Sequence, residues 1–283
     1  MSSTKRRPAV LWLWYHGASF VGFQAQPGAR TVQATLLEGL SAIGLSAGIM
    51  PAGRTDRAVH ARMQVISLRM PADQDPSGLP ARLSAVLPPD LGVAAATWAP
   101  RGFHAQWSAS GKEYRYRLAP GGLSPAWVDS AWDLSEHPGL PPRALDPRRL
   151  AQALEWMVGR RDFFAFHESS SPRKPRALRE ASLVQLAGGA VLEVRLRGEG
   201  FGRYMVRYLV GAAVAYACGV LEEGTLRAAL DHATPFAGLK APGKGLVLWA
   251  VEYPPQLAPF DSRGISLPAG PPFEGTDGVG PSD

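Results

Sequence analysis

Seven consecutive residues, Ala9 to Tyr15, are apolar without interruption and include two tryptophans. A strand with two apolar faces has no side to turn to water, so this run reads as a central strand of a covered sheet. The remaining segments supply the cover. Thr31 caps a helix whose apolar stripe is Val32, Leu36, Leu40 and Ile43. Met63 to Met70 reads as a second strand, and Leu79 to Leu87 as a short helix stopped by Pro88-Pro89. Val93 to Trp98 is a third strand. A similar rhythm follows. Lys112 to Leu118 is a strand, and Asp146-Pro147 opens a helix carrying Leu150, Leu154 and Met157 that ends at Gly159. Leu178 to Leu186 and Val191 to Arg197 form a hairpin around Gly188-Gly189. Arg203 to Ala217 has the clearest helical pattern in the chain, with Val206, Leu209, Val210, Ala213 and Val214 on one side and Gly219 past its end. Thr225 to His232 is a shorter helix and Leu246 to Glu252 the last strand. The pattern predicts an α+β protein in which the strands of two lobes, 8–105 and 106–256, merge into one sheet. Residues 1–7, ending in Lys5-Arg6-Arg7, and 257–283, rich in Pro, Gly, Asp and Ser, read as poorly ordered tails.

Composition narrows the partners. Thirty Lys and Arg against 24 Asp and Glu give a net charge of +6 in a chain of 283 residues. That excess favours an anionic partner, nucleic acid above all, although a basic surface that aids solubility gives the same number. Cys218 is the single cysteine, which excludes an internal disulfide framework and a multi-cysteine zinc site. No apolar stretch reaches the ~18 residues of a membrane span, and the run after the N-terminal basic residues lacks a cleavage pattern. The expected compartment is the cytoplasm.

Three segments hold residues suited to chemistry. The first is Gly53-Arg54-Thr55-Asp56, a polar turn before a strand. Alone it reads as a glycine turn with a hydrogen-bonding aspartate. Its carboxylate, however, sits among Arg54, Arg57 and Arg62, and cations hold an aspartate ionised, ready to act as nucleophile or base. The second runs from Phe103-His104-Ala105-Gln106-Trp107 to Lys112-Glu113-Tyr114-Arg115-Tyr116-Arg117. On a strand, Lys112, Tyr114 and Tyr116 share one face and Glu113, Arg115 and Arg117 the other. The plain reading is one aromatic core face and one solvated charged face; the functional one has a tyrosine stacking under a base while arginines hold phosphates. The third, Gly198-Glu199-Gly200-Phe201-Gly202-Arg203, is a glycine-rich turn at a helix N-terminus, an arrangement that binds phosphate. Arg203 stands where a dinucleotide fingerprint needs its third glycine, which excludes that fingerprint. Arg207, one turn into an apolar helix, needs an anionic partner if buried, and Asp56 is the candidate. The basic stretch 167–177 reads as a mobile loop of the kind that meets RNA. The six histidines show no metal-ligand spacing, and His60 and His104 read as hydrogen-bonding supports. A metal-dependent nuclease would need Asp56, Asp90 and Glu199 together; a non-catalytic RNA-binding module would need the basic and aromatic surface but not Asp56.

Taken in order, these segments resemble the tRNA pseudouridine synthase A family from Ala9 to about Tyr253. The resemblance is carried by Tyr15-His16-Gly17, Gly22-Phe23-Gln24-Ala25-Gln26, Thr31-Val32-Gln33, Ala52-Gly53-Arg54-Thr55-Asp56 with Val59-His60, and Leu87-Pro88-Pro89-Asp90. It continues through Phe103-His104-Ala105, Tyr114-Arg115-Tyr116, Met205-Val206-Arg207 with Val210-Gly211, and Ala241-Pro242 with Gly245-Leu246. It implies the pseudouridine synthase fold, with two ferredoxin-like lobes sharing a mainly antiparallel sheet. It also implies a homodimer that clasps tRNA and isomerises uridines 38, 39 and 40 of the anticodon stem-loop without metal or cofactor. By position, Asp56 matches the family's catalytic aspartate, Tyr114 the tyrosine that contacts the base, Arg207 the arginine paired with the aspartate, and Arg54 an arginine tied to base flipping. Asp56 would act as nucleophile at C1′ or as base at the 2′ proton. The chain departs from the pattern at His16, Phe23 and Gln106, and most tellingly at Arg57-Ala58, where the family has Ala-Gly. A glycine at the second position permits a positive φ that alanine resists.

Overall fold

The computed structural model describes residues 5–135, 137–141, 145–261 and 265–273. Its first half contains β1 (Arg6–Tyr15), α1 (Val32–Ala42), β2 (Ile49–Pro51), β3 (His60–Pro71), α2 (Leu79–Ser84) and β4 (Leu91–Trp98). Its second half contains β5 (Gly111–Ala119), β6 (Trp132–Asp133), α3 (Pro147–Met157), β7 (Gly159–Arg161), β8 (Arg176–Leu186), β9 (Val191–Gly198), α4 (Met205–Ala217), α5 (Glu223–His232) and β10 (Leu246–Glu252). One sheet joins both halves in the order β4-β1-β3-β10-β5-β9-β8-β7, with β2 on β3 and β6 on β5. The ladders are antiparallel except β10–β3 and β5–β6. This is the expected α+β architecture with a mainly antiparallel sheet. β1 lies between β4 and β3, and Ala9–Leu13 and Tyr15 are buried, as a doubly apolar strand requires.

Local signals explain where the helices begin. Thr31 Oγ1 accepts from the Ala34 amide at 3.3 Å, and Asp146 Oδ1 from the Arg148 amide at 2.8 Å, each cap contributing about 1 kcal/mol. The long helix α4 starts at Met205 rather than Arg203 because Tyr204 adopts φ 62°, which turns the chain before the helix can propagate. Strands β2, β6 and β7 escape sequence reading because three residues or fewer show no period. One apolar cluster runs through both halves, from Trp12 and Leu36 to Phe166 and Leu209. No helix among the described residues is long and apolar enough to cross a membrane.

The charged face of β5 is not solvated. Arg117 and Glu193 are both fully buried, with Arg117 Nη2 2.8 Å from Glu193 Oε2. Arg195 reaches the other carboxylate oxygen at 2.8 Å, and the Arg115 guanidinium lies 3.6 Å from the ring centre of Trp249. An unpaired charge here would cost several kcal/mol in lost hydration, so these arginines are committed to the interior and do not hold phosphates. Part of the cover comes from the Pro-Gly-rich C-terminal segment. Pro272 O accepts from Arg117 Nη1, Phe273 packs on Trp14 and His16, and Phe260 meets Trp12 at 6.1 Å between ring centres. At the other end, Arg6 and Arg7 pair with Pro71 and Met70 as the first rungs of β1. The rest of the two predicted tails, 1–4, 262–264 and 274–283, lies outside the described residues.

Candidate active site

The segment Gly53–Asp56 spans the gap between β2 and β3 and is held from several sides. Thr55 O accepts from the Phe23 amide at 3.0 Å, and the Ala58 amide donates to Phe20 O at 3.1 Å. The Thr55 hydroxyl meets Tyr15 Oη at 2.8 Å, and Gln64 Nε2 donates to Gly53 O at 2.6 Å. Burial pushes the Tyr15 hydroxyl up to about 12, so it stays protonated and hydrogen-bonding. Two glycines allow this packing. A Cβ on Gly17 would stand 2.1 Å from Val59 O, and one on Gly243 2.2 Å from Arg57 O, so no side chain fits at either. His60, 1% exposed, fastens the end of the loop. Its Nδ1 accepts from the Gly17 amide at 2.9 Å, and its Nε2 lies 3.0 Å from both Asp129 O and Lys244 O, which makes Nε2 the protonated nitrogen. Burial lowers its pKa to about 4, so it is a neutral support, as its isolated position in the sequence indicated.

Ala58 has φ 63°. The backbone shape that glycine would permit is therefore imposed on an alanine, at a cost of roughly 1–2 kcal/mol. Ala58→Gly relieves that strain and loses about 0.5–1 kcal/mol to the greater freedom of the unfolded chain. The expected net gain is about 0.5–1 kcal/mol, read as a melting temperature higher by roughly 1–3 °C. A lower melting temperature would refute the strain.

Asp56, Tyr114, Arg207 and Arg54 come from three distant stretches of chain and line one cleft of about 1180 Å³. Arg207 Nη1 stands 3.7 Å from Asp56 Oδ2, an ion pair. Its Nε donates to Ala241 O at 2.7 Å, which aims the guanidinium. The Tyr204 ring gathers further cations: Lys240 Nζ at 4.4 Å, Arg203 at 4.9 Å and Arg207 at 5.2 Å from its centre. Burial raises the pKa of Asp56, and Arg207, Arg203 and Lys240 pull it part of the way back. Two sequence expectations are thereby corrected. The carboxyl is raised rather than lowered, because loss of hydration outweighs the nearby charge. The cations that act on it also come from α4, the turn before it and the loop before β10, not from its sequence neighbours. Arg54 and Arg57 are exposed, and Arg62 lies over Trp249, 4.7 Å from the ring centre.

Tyr114 is buried in β5, with its ring edge-on to Phe201 at 5.2 Å. Burial pushes its hydroxyl well above the ordinary range. The turn before α4 offers less to an anion than its glycines suggest, since the Arg203 amide already donates to Ser171 Oγ at 2.7 Å. That bond ties the 167–177 stretch to the cleft, and Arg176, bonded to Pro172 O at 2.9 Å, closes the stretch on itself. His104 is a support as expected: its Nδ1 faces the Gln106 and Trp107 amides at 3.2 Å, and its ring stacks on Trp107. The three acids of the nuclease reading are dispersed. Asp90 pairs with Arg30 at 2.7 Å and Glu199 with Arg160 at 2.8 Å, and neither lines the cleft. Phe201, Tyr204 and Lys240 belong to the site as well, although the sequence pattern gives none of them a role. Only the place of Lys240 beside Ala241-Pro242 could have drawn attention to it.

Residues 153–254 match the model of a family described as tRNA pseudouridine synthase. The chain is 37% identical over 255 residues to a tRNA pseudouridine synthase A of Solidesulfovibrio magneticus, covering 86% of this chain and 90% of that one. Similar proteins of the same name from Bacillus velezensis and Bacillus subtilis are 34% and 33% identical over 253 residues, each covering 84% of this chain and 96% of its own. Likeness of this degree over almost the whole length, on top of a cleft assembled from the same ordered segments, means that the chain belongs to the tRNA pseudouridine synthase A family.

Proposed function

We propose that the protein isomerises uridine to pseudouridine at positions 38, 39 and 40 of the tRNA anticodon stem-loop, as a cytoplasmic homodimer that uses neither metal nor cofactor. The observation that carries this reading is the meeting of Asp56, Tyr114 and Arg207 in one cleft. In the reaction the C1′–N1 bond breaks, the uracil turns, and C1′ bonds to C5; the C5 proton is lost and N1 gains one. The overall change is an isomerisation, so a site that holds a base and steers charge at the ribose suffices.

The uridine must first leave its stack, at a cost of roughly a few kcal/mol. Arg54, exposed beside the cleft, fills the vacated space. Tyr114, backed by Phe201, holds the uracil while it turns. Asp56 acts at the ribose, as nucleophile at C1′ or as base at the 2′ proton, and both roles require its ionised form. Arg207, Arg203 and Lys240 favour that form against burial. Mapping pseudouridines in tRNA from cells lacking the protein tests the assignment. Loss at 38, 39 and 40 is expected, with return when the intact gene is restored; retention at all three sinks the reading.

A further inference from the structure

Lys112 lies in β5 two residues before Tyr114, so both side chains leave the same face of the strand, roughly 7 Å apart along it. It lines the cleft that holds Asp56, and its chain runs beside Gly53. A Cβ there would stand 3.3 Å from Lys112 Cε and 3.4 Å from Nζ. No hydrogen-bond acceptor or carboxylate partners its ammonium among the described residues. Burial lowers its pKa, and no neighbouring charge offsets that effect. The other cations around the site are either occupied or in water: Arg207 holds Asp56 and Ala241 O, Arg203 and Lys240 sit on Tyr204, and Arg54 and Arg57 are exposed. A largely buried ammonium without a counter-charge is costly, and the natural remedy is an anion arriving with the ligand.

We propose that Lys112 is a phosphate-binding residue of the cleft, taking the backbone phosphate beside the uridine held at Tyr114. This rests on the isomerase reading for the identity of the RNA. A uracil carbonyl would accept a hydrogen bond but would not neutralise the ammonium, whereas a phosphate, one sugar away from the base, does both. Its place next to Gly53 puts that phosphate at the root of Arg54, so the two residues grip the flipped nucleotide at its backbone and its empty stack. Lys112 is thus a binding residue; it does not act on the bonds that change.

The experiment compares Lys112→Met, Lys112→Gln and Lys112→Arg in the full chain. Binding of an unmodified anticodon stem-loop is measured across a potassium chloride series, alongside steady-state turnover. Neutralising one phosphate contact lowers the slope of log affinity against log salt by about 0.7–0.9. Lys112→Met and Lys112→Gln are each expected to show that loss with KM raised roughly tenfold and kcat within twofold, and Lys112→Arg to restore the slope. Having two neutral variants guards against one that fails to fold. A methylphosphonate placed at the phosphate flanking the target uridine should weaken wild-type binding and leave Lys112→Met unaffected. An unchanged salt slope, or a fall in kcat with KM unchanged, overturns the proposal. Because the slope is read from binding alone, it stands or falls separately: wild-type protein that binds the stem-loop without forming pseudouridine would refute the isomerase reading instead.

Discussion

Asp56→Asn lowers pseudouridine formation by roughly 10⁴-fold or more while stem-loop binding stays within a factor of a few. The amide keeps the size and hydrogen-bonding reach of the carboxylate but can neither attack C1′ nor take the 2′ proton. Release of tritium from C5-labelled uridine measures the loss; ordinary turnover in the variant would remove Asp56 from the chemistry. The same substitution has a second expected outcome, in stability. Because burial raises the pKa of Asp56 in the folded protein, the folded state binds more protons than the unfolded one between the two pKa values. Stability therefore falls as pH rises through that window and stays lower above it. A neutral asparagine escapes that penalty, so Asp56→Asn melts at or above the wild-type temperature at pH 7. An inactive variant that also melts well below wild type would point to a collapsed loop instead of a missing carboxylate.

Arg207→Met is expected to reduce turnover at pH 7 by about 10²-fold, the order of effect that a displaced catalytic group produces. The diagnostic is its pH dependence. Arg207 is the strongest of the charges that pull the raised Asp56 pKa back down, so its removal lets the pKa rise further. Activity requires the ionised carboxylate and grows as pH climbs through that pKa, so the acid limb of kcat/KM moves to higher pH and part of the lost rate returns there. A limb that stays in place while the rate falls equally at every pH would show that Arg207 serves only the packing of α4. Lysine is a poor substitute, because a single ammonium cannot span Ala241 O and Asp56 as the forked guanidinium does.

The regular elements were legible because their physics is local. The doubly apolar run became β1, Thr31 and Asp146 capped the helices they were expected to cap, and the glycines at 188 and 189 turned the β8–β9 hairpin. Arg115 and Arg117 were misleading because alternation shows which residues share a face but not what covers that face. Trp249, Glu193 and Phe273 do so from far along the chain. The charge environment of Asp56 was obscured for the same reason: Arg54 and Arg57 adjoin it in sequence, whereas Lys240 reaches it only through folding. Asp56, Tyr114 and Arg207 could be picked out by their types and order. That Lys112 stands without a counter-charge could not, since an unmet partner is visible only once every candidate partner has been placed.

The position of β10 has a consequence for how the molecule assembles. Its seven residues run parallel to β3 on one side and antiparallel to β5 on the other, so the last strand among the described residues fills the middle of the sheet. Until Leu246–Glu252 leave the ribosome, β3 and β5 each present an open row of amides and carbonyls, the kind of edge that invites pairing with another chain. Closing the sheet also requires contacts between residues separated by most of the sequence, which slows folding. A nascent chain stalled before this strand would therefore be a sticky intermediate, with Tyr114 in place on β5 but without the backbone ladders by which β10 ties β5 to β3.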